Sequence, residues 1–422
     1  MSKYLKDLPY SLLKIIEIIK GIASHLGYPT YLVGGFVRDL ILKRENLDLD
    51  ITTEGDGIRL AEELALKIEG KITRHLKFGT ATVISPDGFK IDIATARKEF
   101  YPKPAVLPKV EFGSIKDDLA RRDFTINALA VRIYPDGEDE LIDFFSGYQD
   151  ILKKKIRVLH NKSFIDDPTR ILRAIRFEQR FDFHIEKDTL KLIKEAVSMK
   201  MFEKLSPHRL KDELILILKE NNPIKYIVRI EELVGWKNLI PKLKLSKRKI
   251  DFLNSTKKTV DWYNQNFPHK RQLDVWLMYL ICLLDGLDKE VLSCLLDKFS
   301  FSRGQIKRIL SFINNKKVLK YKLKNKLKPS KVYQLLEPLS YEVILLIMAK
   351  FKNYRIKKNI EDFLKIYNNV RLNITGDDLK KLGIEAGPRY QYVLNKLLLE
   401  KLDRDIKTKK QEWEFVKRMI KQ

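Results

Sequence analysis

The sequence predicts an α+β protein in which the strands are confined to the N-terminal part and helices form the rest. Apolar and polar residues alternate with the period of a strand at residues 47–51 and 89–94. From about Lys187 onward helical periodicity dominates and no strand pattern appears. A chain of 422 residues is too long for one small core, so we expect roughly two to four domains.

The net charge is the feature of the composition that most restricts function. The chain has 82 Lys+Arg against 56 Asp+Glu, a net charge of +26, which suggests a polyanionic partner such as nucleic acid or a membrane surface. Cys282 and Cys294 form neither a metal-binding pattern nor a disulfide framework. The start of the chain lacks a signal-peptide pattern, and the longest apolar run, at 275–284, is too short to span a bilayer. We therefore expect a soluble, cytoplasmic protein without a membrane partner.

The first elements are a helix, a short strand and a glycine pair. Apolar residues recur at helical spacing over 12–26, and the apolar run at 31–33 stops at Gly34 and Gly35. Residues 36–42 are predicted to form one or two helical turns. Glycines ahead of a helix let backbone N–H groups approach a phosphate closely. The alternative is that the pair forms only a turn.

A pair of aspartates follows on a predicted strand. Leu47, Leu49 and Ile51 point to one face, and Asp48 and Asp50 point to the other. Two carboxylates so close together repel each other unless a cation lies between them, and their hard oxygen ligands suit Mg²⁺. Such carboxylates beside a phosphate-binding turn are components of a nucleotidyl-transfer site. The alternative is a solvated edge strand.

A third carboxylate lies in a predicted hairpin. Residues 57–69 are predicted to be helical, and the strands at 80–84 and 89–94 are joined by a Ser-Pro-Asp-Gly turn. Asp92 lies on the polar face of the second strand. It could complete a two-metal site, or it could be an exposed strand residue.

The next segments combine a proline-rich loop with a cluster of charges. Residues 98–116 contain three prolines and are predicted to form a loop with little regular structure. Arg121 and Arg122 offer two cations for a triphosphate, and Asp123 offers an acceptor for a sugar hydroxyl. The segment 142–150, with acids at both ends, is by itself only a capped turn.

A helix with a charged stripe is predicted after Pro168. Asp167 is suited to cap this helix and lies three residues before Arg170, and Arg173 and Arg176 continue the stripe. A carboxylate and a guanidinium could recognise the edge of a nucleobase. The spacing alone favours the alternative, a helix cap with an ion pair between positions i and i+3.

The remainder of the chain is predicted to be helical. The most regular segments are 190–197, 209–218, 275–284, 290–299, 341–351, 360–367, 390–402 and 413–420. Residues 316–331 hold eight lysines and no acid, so Lys324, Lys326 and Lys328 are candidates for binding an RNA backbone. Arg389 follows a glycine hairpin between two predicted helices and could hold a nucleic-acid phosphate. A solvated lysine face and a plain helical corner are the alternatives.

Taken together, these segments resemble the class II family of tRNA nucleotidyltransferases and poly(A) polymerases. The similarity covers roughly residues 30–185, and the stretch at 376–402 is similar to the C-terminal part of the CCA-adding members. The motifs that carry it are Leu-Val-Gly-Gly-Phe-Val-Arg-Asp at 32–39, Leu-Asp-Leu-Asp at 47–50, Arg-Arg-Asp-Phe-Thr-Ile-Asn-Ala at 121–128, Asp143 with Gly147 and Asp150, and Asp-Asp-Pro-Thr-Arg-Ile-Leu-Arg-Ala-Ile-Arg-Phe at 166–177.

The resemblance implies a domain order. It predicts a polymerase-β-like catalytic head with a mixed sheet at 1–155, a helical neck with the nucleotide-base template at 156–225, and an all-α body and tail that bind tRNA at 226–422. The loop at 98–116 corresponds to the flexible loop of the family, which helps the switch from C to A addition.

The resemblance also implies site residues. Asp48 and Asp50 would hold two Mg²⁺ ions, and Asp92 would be a third catalytic carboxylate. The nucleotide-binding residues would be Gly34, Gly35, Arg38, Arg121, Arg122, Asp123, Asn127, Asp167, Arg170, Arg173 and Arg176. The family motif usually opens with Glu-Asp, whereas here Asp166 precedes Asp167.

The function implied is template-independent addition of CCA, or only CC or only A, to the tRNA 3′ end from CTP and ATP, with release of pyrophosphate. The protein would bind the acceptor arm and elbow of tRNA. A poly(A) polymerase shares the head motifs, but the stretch at 376–402 favours tRNA as the substrate. A non-catalytic RNA-binding protein is a further alternative, which the intact pair Asp48 and Asp50 disfavours.

Overall fold

The computed structural model describes Leu5 and residues 8–44, 48–135, 140–384, 387–404 and 406–420. The chain forms two compact units. The N-terminal unit comprises Met1–Ile217 and Lys225–Leu239, and the C-terminal unit comprises Leu218–Ile224 and Ile240–Gln422. The finer division into head, neck, body and tail stays a prediction.

The strands all lie in the N-terminal unit of the described chain, and most of them form one mixed sheet. They are β1 (Thr30–Val33), β2 (Leu49–Thr53), β3 (Lys71–His75), β4 (Thr80–Ile84), β5 (Lys90–Thr95), β6 (Arg97–Phe100), β7 (Lys109–Phe112), β8 (Ala130–Tyr134), β9 (Leu141–Ile142), β10 (Lys155–Ile156) and β11 (His184–Ile185). The main sheet has the order β3-β4-β5-β2-β1-β8-β9. Within it β2 and β5 are parallel and the other neighbours are antiparallel, so the predicted mixed sheet is confirmed.

The helices of the N-terminal unit cover this sheet and extend beyond it. They are α1 (Tyr10–Leu26), α2 (Gly35–Ile41), α3 (Gly57–Lys67), α4 (Ile115–Ala120), α5 (Gly147–Leu152), α6 (Ser163–Asp166), α7 (Thr169–Phe181), α8 (Lys187–Ser198), α9 (Pro207–Leu218) and α10 (Pro223–Leu233), the last two crossing into the C-terminal unit at one end. Asp56 caps α3 by accepting hydrogen bonds from the N–H groups of Ile58 and Arg59. Leu60 and Leu64 of α3 are fully buried, and α3 packs on β4, β5 and α1.

The C-terminal unit is all-helical over its described residues. Its helices are α11 (Lys247–Asn266), α12 (Val275–Leu284), α13 (Lys289–Lys298), α14 (Arg303–Leu323), α15 (Pro329–Leu336), α16 (Tyr341–Lys350), α17 (Tyr354–Lys365), α18 (Gly376–Lys381), α19 (Pro388–Asp403) and α20 (Lys409–Ile420). Each helical segment predicted from periodicity is found: α12 has the predicted bounds, and the others differ at one end or both. Helices α10, α11, α14 and α15 were not predicted.

No single helix among the described residues combines the length and the apolar composition that crossing a membrane requires. One pair of helices, α15 with α16, meets both conditions only when its members are taken together, and that pair is bent by 112°.

The prediction for residues 98–116 was wrong in part. Strands β6 and β7 pair antiparallel, with Arg97 opposite Phe112 and Phe100 opposite Lys109, and α4 starts at Ile115. The prolines at 102, 104 and 108 all fall in the connection between the strands. Proline cannot donate to a strand ladder, so the prolines restrict pairing to the two ends of the segment without preventing it.

The turn at 143–150 is a capped turn, as predicted from its sequence. The Asp143 carboxylate accepts hydrogen bonds from the N–H groups of Gly147 (2.8 Å) and Tyr148 (3.0 Å). Asp150 is buried and accepts from Thr125 Oγ1 (2.7 Å) and Arg157 Nε (2.8 Å). A Cβ atom at Gly147 would lie 2.1 Å from the carbonyl oxygen of Thr125, so the turn packs too closely for any side chain there.

We therefore expect Gly147→Ala to lower the free energy of unfolding by at least about 2 kcal/mol, because backbone atoms must move to admit the methyl group. Gly21→Ala is the matched control: Gly21 lies in α1 and a Cβ there meets nothing within 4 Å. This control should stabilise the protein by up to about 1 kcal/mol through helix propensity. Chemical denaturation of both variants checks the prediction, and equal stabilities would contradict it.

Candidate active site

The parallel pairing of β2 with β5 brings two predicted catalytic carboxylates together. Asp50 and Asp92 are direct partners in the register, so their side chains leave the same face of the sheet. Leu49 and Ile51 are buried on the other face. Asp48 is exposed and lies immediately before β2, while Leu47 falls outside the described residues. Only Asp50 of the predicted pair therefore lies on the strand, with Asp48 next to its start.

The surroundings of Asp50 disfavour its charged form. Burial raises the pKa of Asp50 to about 6; the charge of Arg122 opposes this rise, and Asp92 and Asp48 add to it. Asp92 accepts a hydrogen bond from Thr82 Oγ1 at 2.6 Å and forms an ion pair with Lys90. Negative charge is therefore concentrated here and only partly compensated.

These carboxylates suit a divalent cation. Each offers hard oxygen atoms, and a cation would relieve both the repulsion and the desolvation that raise the pKa of Asp50. In the part of the chain that the structure describes, no three acidic, histidine or cysteine side chains form a ready-made metal centre. The chemistry of the donors, rather than a formed coordination shell, supports a metal here.

A cavity of about 380 Å³ lies beside the carboxylates. Asp50, Asp92 and Lys90 form one part of its wall, and Arg121 and Arg122 form another. Its volume lies within the range of small-molecule sites, and its lining places anionic and cationic groups side by side.

The glycine pair lies next to Arg122 and Asp50, two of the residues that line this cavity. Gly34 has φ +67°, and a Cβ there would lie 2.2 Å from Arg122 Nη1. Only glycine avoids this clash while holding that backbone conformation. The Gly34 N–H donates to the Leu129 carbonyl oxygen (3.0 Å), and a Cβ at Gly35 would lie 3.9 Å from Asp50 Oδ2. The turn thus lies next to Asp50 and Arg122, and phosphate binding by its amides stays a prediction.

Arg121 and Arg122 converge on a buried acid to which we had assigned no role. Asp118 is fully buried and accepts from Arg121 Nη2 (2.6 Å) and Arg122 Nη2 (2.9 Å). Burial acts to raise the pKa of Asp118, but the charges of Arg122 and Arg121 outweigh it and lower the pKa. Glu99 also accepts from Arg121 Nη1 (3.0 Å). The spacing of Asp118 from the arginines, three and four residues, was the available signal.

Arg38, Asp123 and Asn127 are joined in an interior network. Arg38 Nη1 donates to Asn127 Oδ1 (2.6 Å), and Asn127 Nδ2 donates to Asp123 Oδ1 (2.9 Å). Asp123 Oδ2 pairs with Arg173 Nη2 (2.6 Å), and the Arg38 guanidinium lies 4.5 Å from the centre of the Phe181 ring. All three predicted side chains are buried, so the structure gives them protein partners, and their contacts with nucleotide stay predictions.

Asp167 caps a helix, while its predicted ion pair with Arg170 is not formed. Helix α7 begins at Thr169, one residue later than predicted, and Asp167 Oδ1 accepts from the Thr169 N–H (3.0 Å). Asp167 Oδ2 pairs with Arg209 Nη2 (2.6 Å). Arg170 donates instead to Ser163 Oγ (2.9 Å) and to the Arg121 carbonyl oxygen (2.8 Å). Long-range partners replace the local pair.

Helix α7 carries the rest of the arginine stripe, and its residue Arg170 also lines a second cavity. Arg173 and Arg176 both contact Glu213, at 3.4 Å and 3.8 Å. A cavity of about 500 Å³ is lined by Arg170, Arg121, Tyr101 and Asp166, among others. Burial raises the pKa of Tyr101 to about 12, so its hydroxyl stays protonated. The two cavities share Arg121.

The predicted RNA-binding residues lie in the C-terminal unit and are exposed. Lys324, Lys326 and Lys328 lie in the connection between α14 and α15, and Lys324 Nζ lies 4.7 Å from the centre of the Tyr321 ring. Arg389 lies in the first turn of α19. The glycine hairpin before it includes residues 385–386, which fall outside the described residues.

A mixed sheet that presents Asp50 and Asp92 beside an arginine-lined cavity is suited to bind a nucleotide phosphate together with a divalent cation. The comparisons agree. Residues 30–157 match the model of the poly A polymerase head domain, and residues 182–246 match that of the probable RNA and SrmB-binding site of polymerase A.

Individual proteins extend this match along the chain. The chain is 38% identical to an A-adding tRNA nucleotidyltransferase of Geobacter sulfurreducens over 98% of its own length and 48% of that protein. It is similar to a CCA-adding enzyme in apo form II (38% identity, TM-score 0.82, 98% and 97% of the two chains). It is also similar to the Thermotoga maritima CCA-adding enzyme complexed with tRNA (36% identity, TM-score 0.77, 99% and 97%).

The chain belongs to the family of tRNA nucleotidyltransferases and poly(A) polymerases. The resemblance inferred from its motifs is thereby confirmed. The chain spans about half the length of the curated relatives that it matches.

The raised pKa of Asp50 predicts a pH-dependent stability in the presence of a chelator. The folded pKa of about 6 lies above the ordinary value of 3.8, so the stabilising contribution of protonated Asp50 is fully present below about pH 4 and is lost as the pH rises through 6. Asp50→Asn should therefore stabilise the protein at pH 8, by up to about 3 kcal/mol, and change little near pH 4.

Denaturant unfolding at both pH values checks this prediction. Asp87→Asn, in the exposed turn between β4 and β5, is the control and should leave the pH profile as it is. No gain for Asp50→Asn at pH 8 would contradict the proposed electrostatic conflict.

Proposed function

We propose that this protein transfers nucleotides from CTP and ATP to the 3′ end of tRNA, building CCA or part of it (CC or A) and releasing pyrophosphate. The single observation that supports this most strongly is the placement of Asp50 and Asp92 on one sheet face beside Arg122. The membership of the chain in the family adds the class of reaction.

In the proposed reaction the 3′ hydroxyl of tRNA attacks the α-phosphate of the bound nucleoside triphosphate. A phosphodiester bond forms, the bond to the β-phosphate oxygen breaks, and the pyrophosphate leaves with that electron pair. Asp48, Asp50 and Asp92 would hold Mg²⁺, which acidifies an attacking hydroxyl and neutralises charge on a leaving pyrophosphate.

The arginines that line the cavity would stabilise the triphosphate. Arg122 is fixed by Asp118, and Arg121 by Asp118 and Glu99. Side chains held in place in this way lose little conformational entropy when they meet an anion. Both guanidinium groups line the cavity beside Asp50 and Asp92, which suits them to the charge that develops on the leaving group.

Base selection would rest on α7 and the residues around it. Arg170 lines the larger cavity, where its guanidinium could donate to a base acceptor. Asp167 could accept from the exocyclic amine of C or A while it stays paired with Arg209, because a carboxylate has lone pairs for several donors. Arg209 would thus hold the acceptor in position for the base.

The tRNA itself would be held by positive charge. The net charge of +26 favours a polyanion, and the exposed Lys324, Lys326, Lys328 and Arg389 are candidates for contacts with the RNA backbone. Such contacts recognise shape more than sequence.

A single-turnover extension assay tests the function. The substrates are tRNA transcripts ending before the first C, after CC and after CCA, each given CTP, ATP or both with Mg²⁺. We expect extension that ends at CCA. Three added residues define a complete CCA-adding enzyme, whereas a stop after two, or action only on the CC-ended transcript, defines partial addition. Long A tails on any RNA would favour a poly(A) polymerase instead.

The Asp48→Ala, Asp50→Ala double variant tests the catalytic carboxylates. We expect it to lose extension by about a thousandfold or more, because the loss of metal binding costs several kcal/mol of barrier stabilisation. Asp87→Ala, in the exposed turn next to β5, is the control and should retain full activity. An unaffected double variant would contradict the assigned site, and no extension by any form would favour a non-catalytic RNA-binding protein.

Asp167→Asn tests base selection. Asparagine keeps one oxygen for the Thr169 N–H but replaces the other with a donor, so we expect the ratio of kcat/KM for ATP and CTP to change by about tenfold or more. The thermal midpoint should fall somewhat, because the ion pair with Arg209 is lost. Asp182→Asn, at the C-terminal end of the same helix, serves as the control. A loss of stability with an unchanged nucleotide preference would show that Asp167 is only a cap.

A further inference from the structure

A groove of nucleotide size lies in the C-terminal unit, and the proposed transfer reaction does not use it. The groove lies between α11, the end of α16 and the start of α17, and its volume is about 330 Å³. Its residues come from the C-terminal unit alone. Those used below are Trp262, Phe351 and Tyr354, with Lys258, Lys352 and Lys357.

The aromatic side chains of the groove are held in position without being fully buried. Trp262 and Phe351 are half-buried, and Trp262 packs edge-on against Phe267 with 5.8 Å between ring centres. Tyr354 is 74% exposed. It opens α17, where Asn353 Oδ1 fixes the backbone by accepting from the Ile356 N–H at 3.2 Å. The groove thus combines a ring that is packed against a neighbour, a second half-buried ring and a third ring that remains accessible.

The charged residues that line the groove are all basic. Residues 343–360 contain five basic residues and no acidic one, and the groove lining includes three lysines and no acid. Among the described residues, Lys258 and Lys352 form no ion pair. Lys357 meets Glu361 at 3.7 Å on the exposed surface of α17, a contact that water screens. The rim therefore retains uncompensated positive charge.

This combination selects one kind of ligand. An anion alone would gain nothing from an exposed tyrosine, and a purely apolar partner would have to desolvate the lysines. Proteins that bind single-stranded nucleic acid combine aromatic surfaces, on which bases stack, with basic side chains along the backbone. A volume near 330 Å³ also lies at the lower end of the range for small-ligand sites, which suits a single nucleotide.

We propose that this groove binds one unpaired nucleotide of the RNA substrate. The base stacks on Tyr354 and the adjacent Trp262, and Lys258 and Lys352 hold its phosphate. The inference rests on the proposed function in one respect only: tRNA is the RNA that brings the unpaired nucleotide. The groove is a binding site and takes no part in the transfer step.

Binding is measured by fluorescence anisotropy without nucleoside triphosphates. The probes are a labelled tRNA transcript and a labelled single-stranded heptaribonucleotide. Tyr354→Ala should raise the Kd of both by about tenfold, the loss expected when one stacked base is released. Tyr354→Phe retains the ring and should bind as the wild type does. Tyr10→Ala removes another exposed tyrosine, 83% exposed on α1 of the N-terminal unit, and should have no effect.

The lysines are tested by the salt dependence of binding. Replacing both Lys258 and Lys352 by alanine should reduce the slope of log Kd against log salt for the heptamer by about 0.7, the contribution of the one single-strand phosphate that the two lysines neutralise together. Lys67→Ala with Lys71→Ala, two exposed lysines of the N-terminal unit, is the matched control and should leave the slope unchanged.

Each outcome decides the proposal. Unchanged binding by Tyr354→Ala overturns it, and so does equal weakening by Tyr354→Phe, because the hydroxyl rather than the ring would then be responsible. Displacement of the heptamer by a short polyglutamate at equal concentration also overturns it and indicates an acidic protein partner. Extension of tRNA with no effect at Tyr354 refutes the groove alone. Tyr354-dependent binding of the heptamer without any extension refutes the transferase function alone.

Discussion

The parallel pairing of β2 and β5 places Asp50 and Asp92 on one face of the sheet. The site is organised by the repulsion between these two carboxylates. Two cations partly neutralise this negative charge. Lys90 pairs with Asp92, and the charge of Arg122 opposes the rise in the pKa of Asp50. Arg122 is held in place by its ion pair with Asp118. Its guanidinium lies so close to Gly34 that a Cβ atom there would clash with it. One electrostatic conflict thus accounts for the glycine, the arginine and the buried acid around it.

A second set of contacts joins this sheet region to α7. Arg173 pairs with Asp123, Arg170 donates to the backbone of Arg121, and the Phe181 ring lies against the Arg38 guanidinium. In each contact an arginine satisfies a buried polar group or covers an aromatic ring. Arginine can make both kinds of contact because its planar guanidinium donates hydrogen bonds to several acceptors in its plane while its two faces remain free to stack on rings.

Much of the fold could be predicted because burial leaves a period in the sequence. The alternation at β2 and β5 revealed both strands and the carboxylates upon them. Strand β3 was missed because it is an edge strand whose residues, Lys71 and Arg74 among them, are largely exposed and carry no apolar pattern. The partners of predicted site residues were missed for another reason. Glu99, Glu213 and Arg209 lie far along the chain from the arginines and the aspartate that they contact, and no local spacing reveals such pairs.

The ion pair between Asp167 and Arg209 has a consequence for fidelity under the proposed role of Asp167 in reading the base. The carboxylate already holds the Arg209 guanidinium at 2.6 Å and keeps lone pairs for a further donor, so its position is set before a base arrives. A base with a well-placed exocyclic amine would add a hydrogen bond to this acceptor, whereas a base with a carbonyl there would meet another lone pair. The resting contact would therefore act as preorganisation, because little conformational entropy is lost when the carboxylate receives C or A.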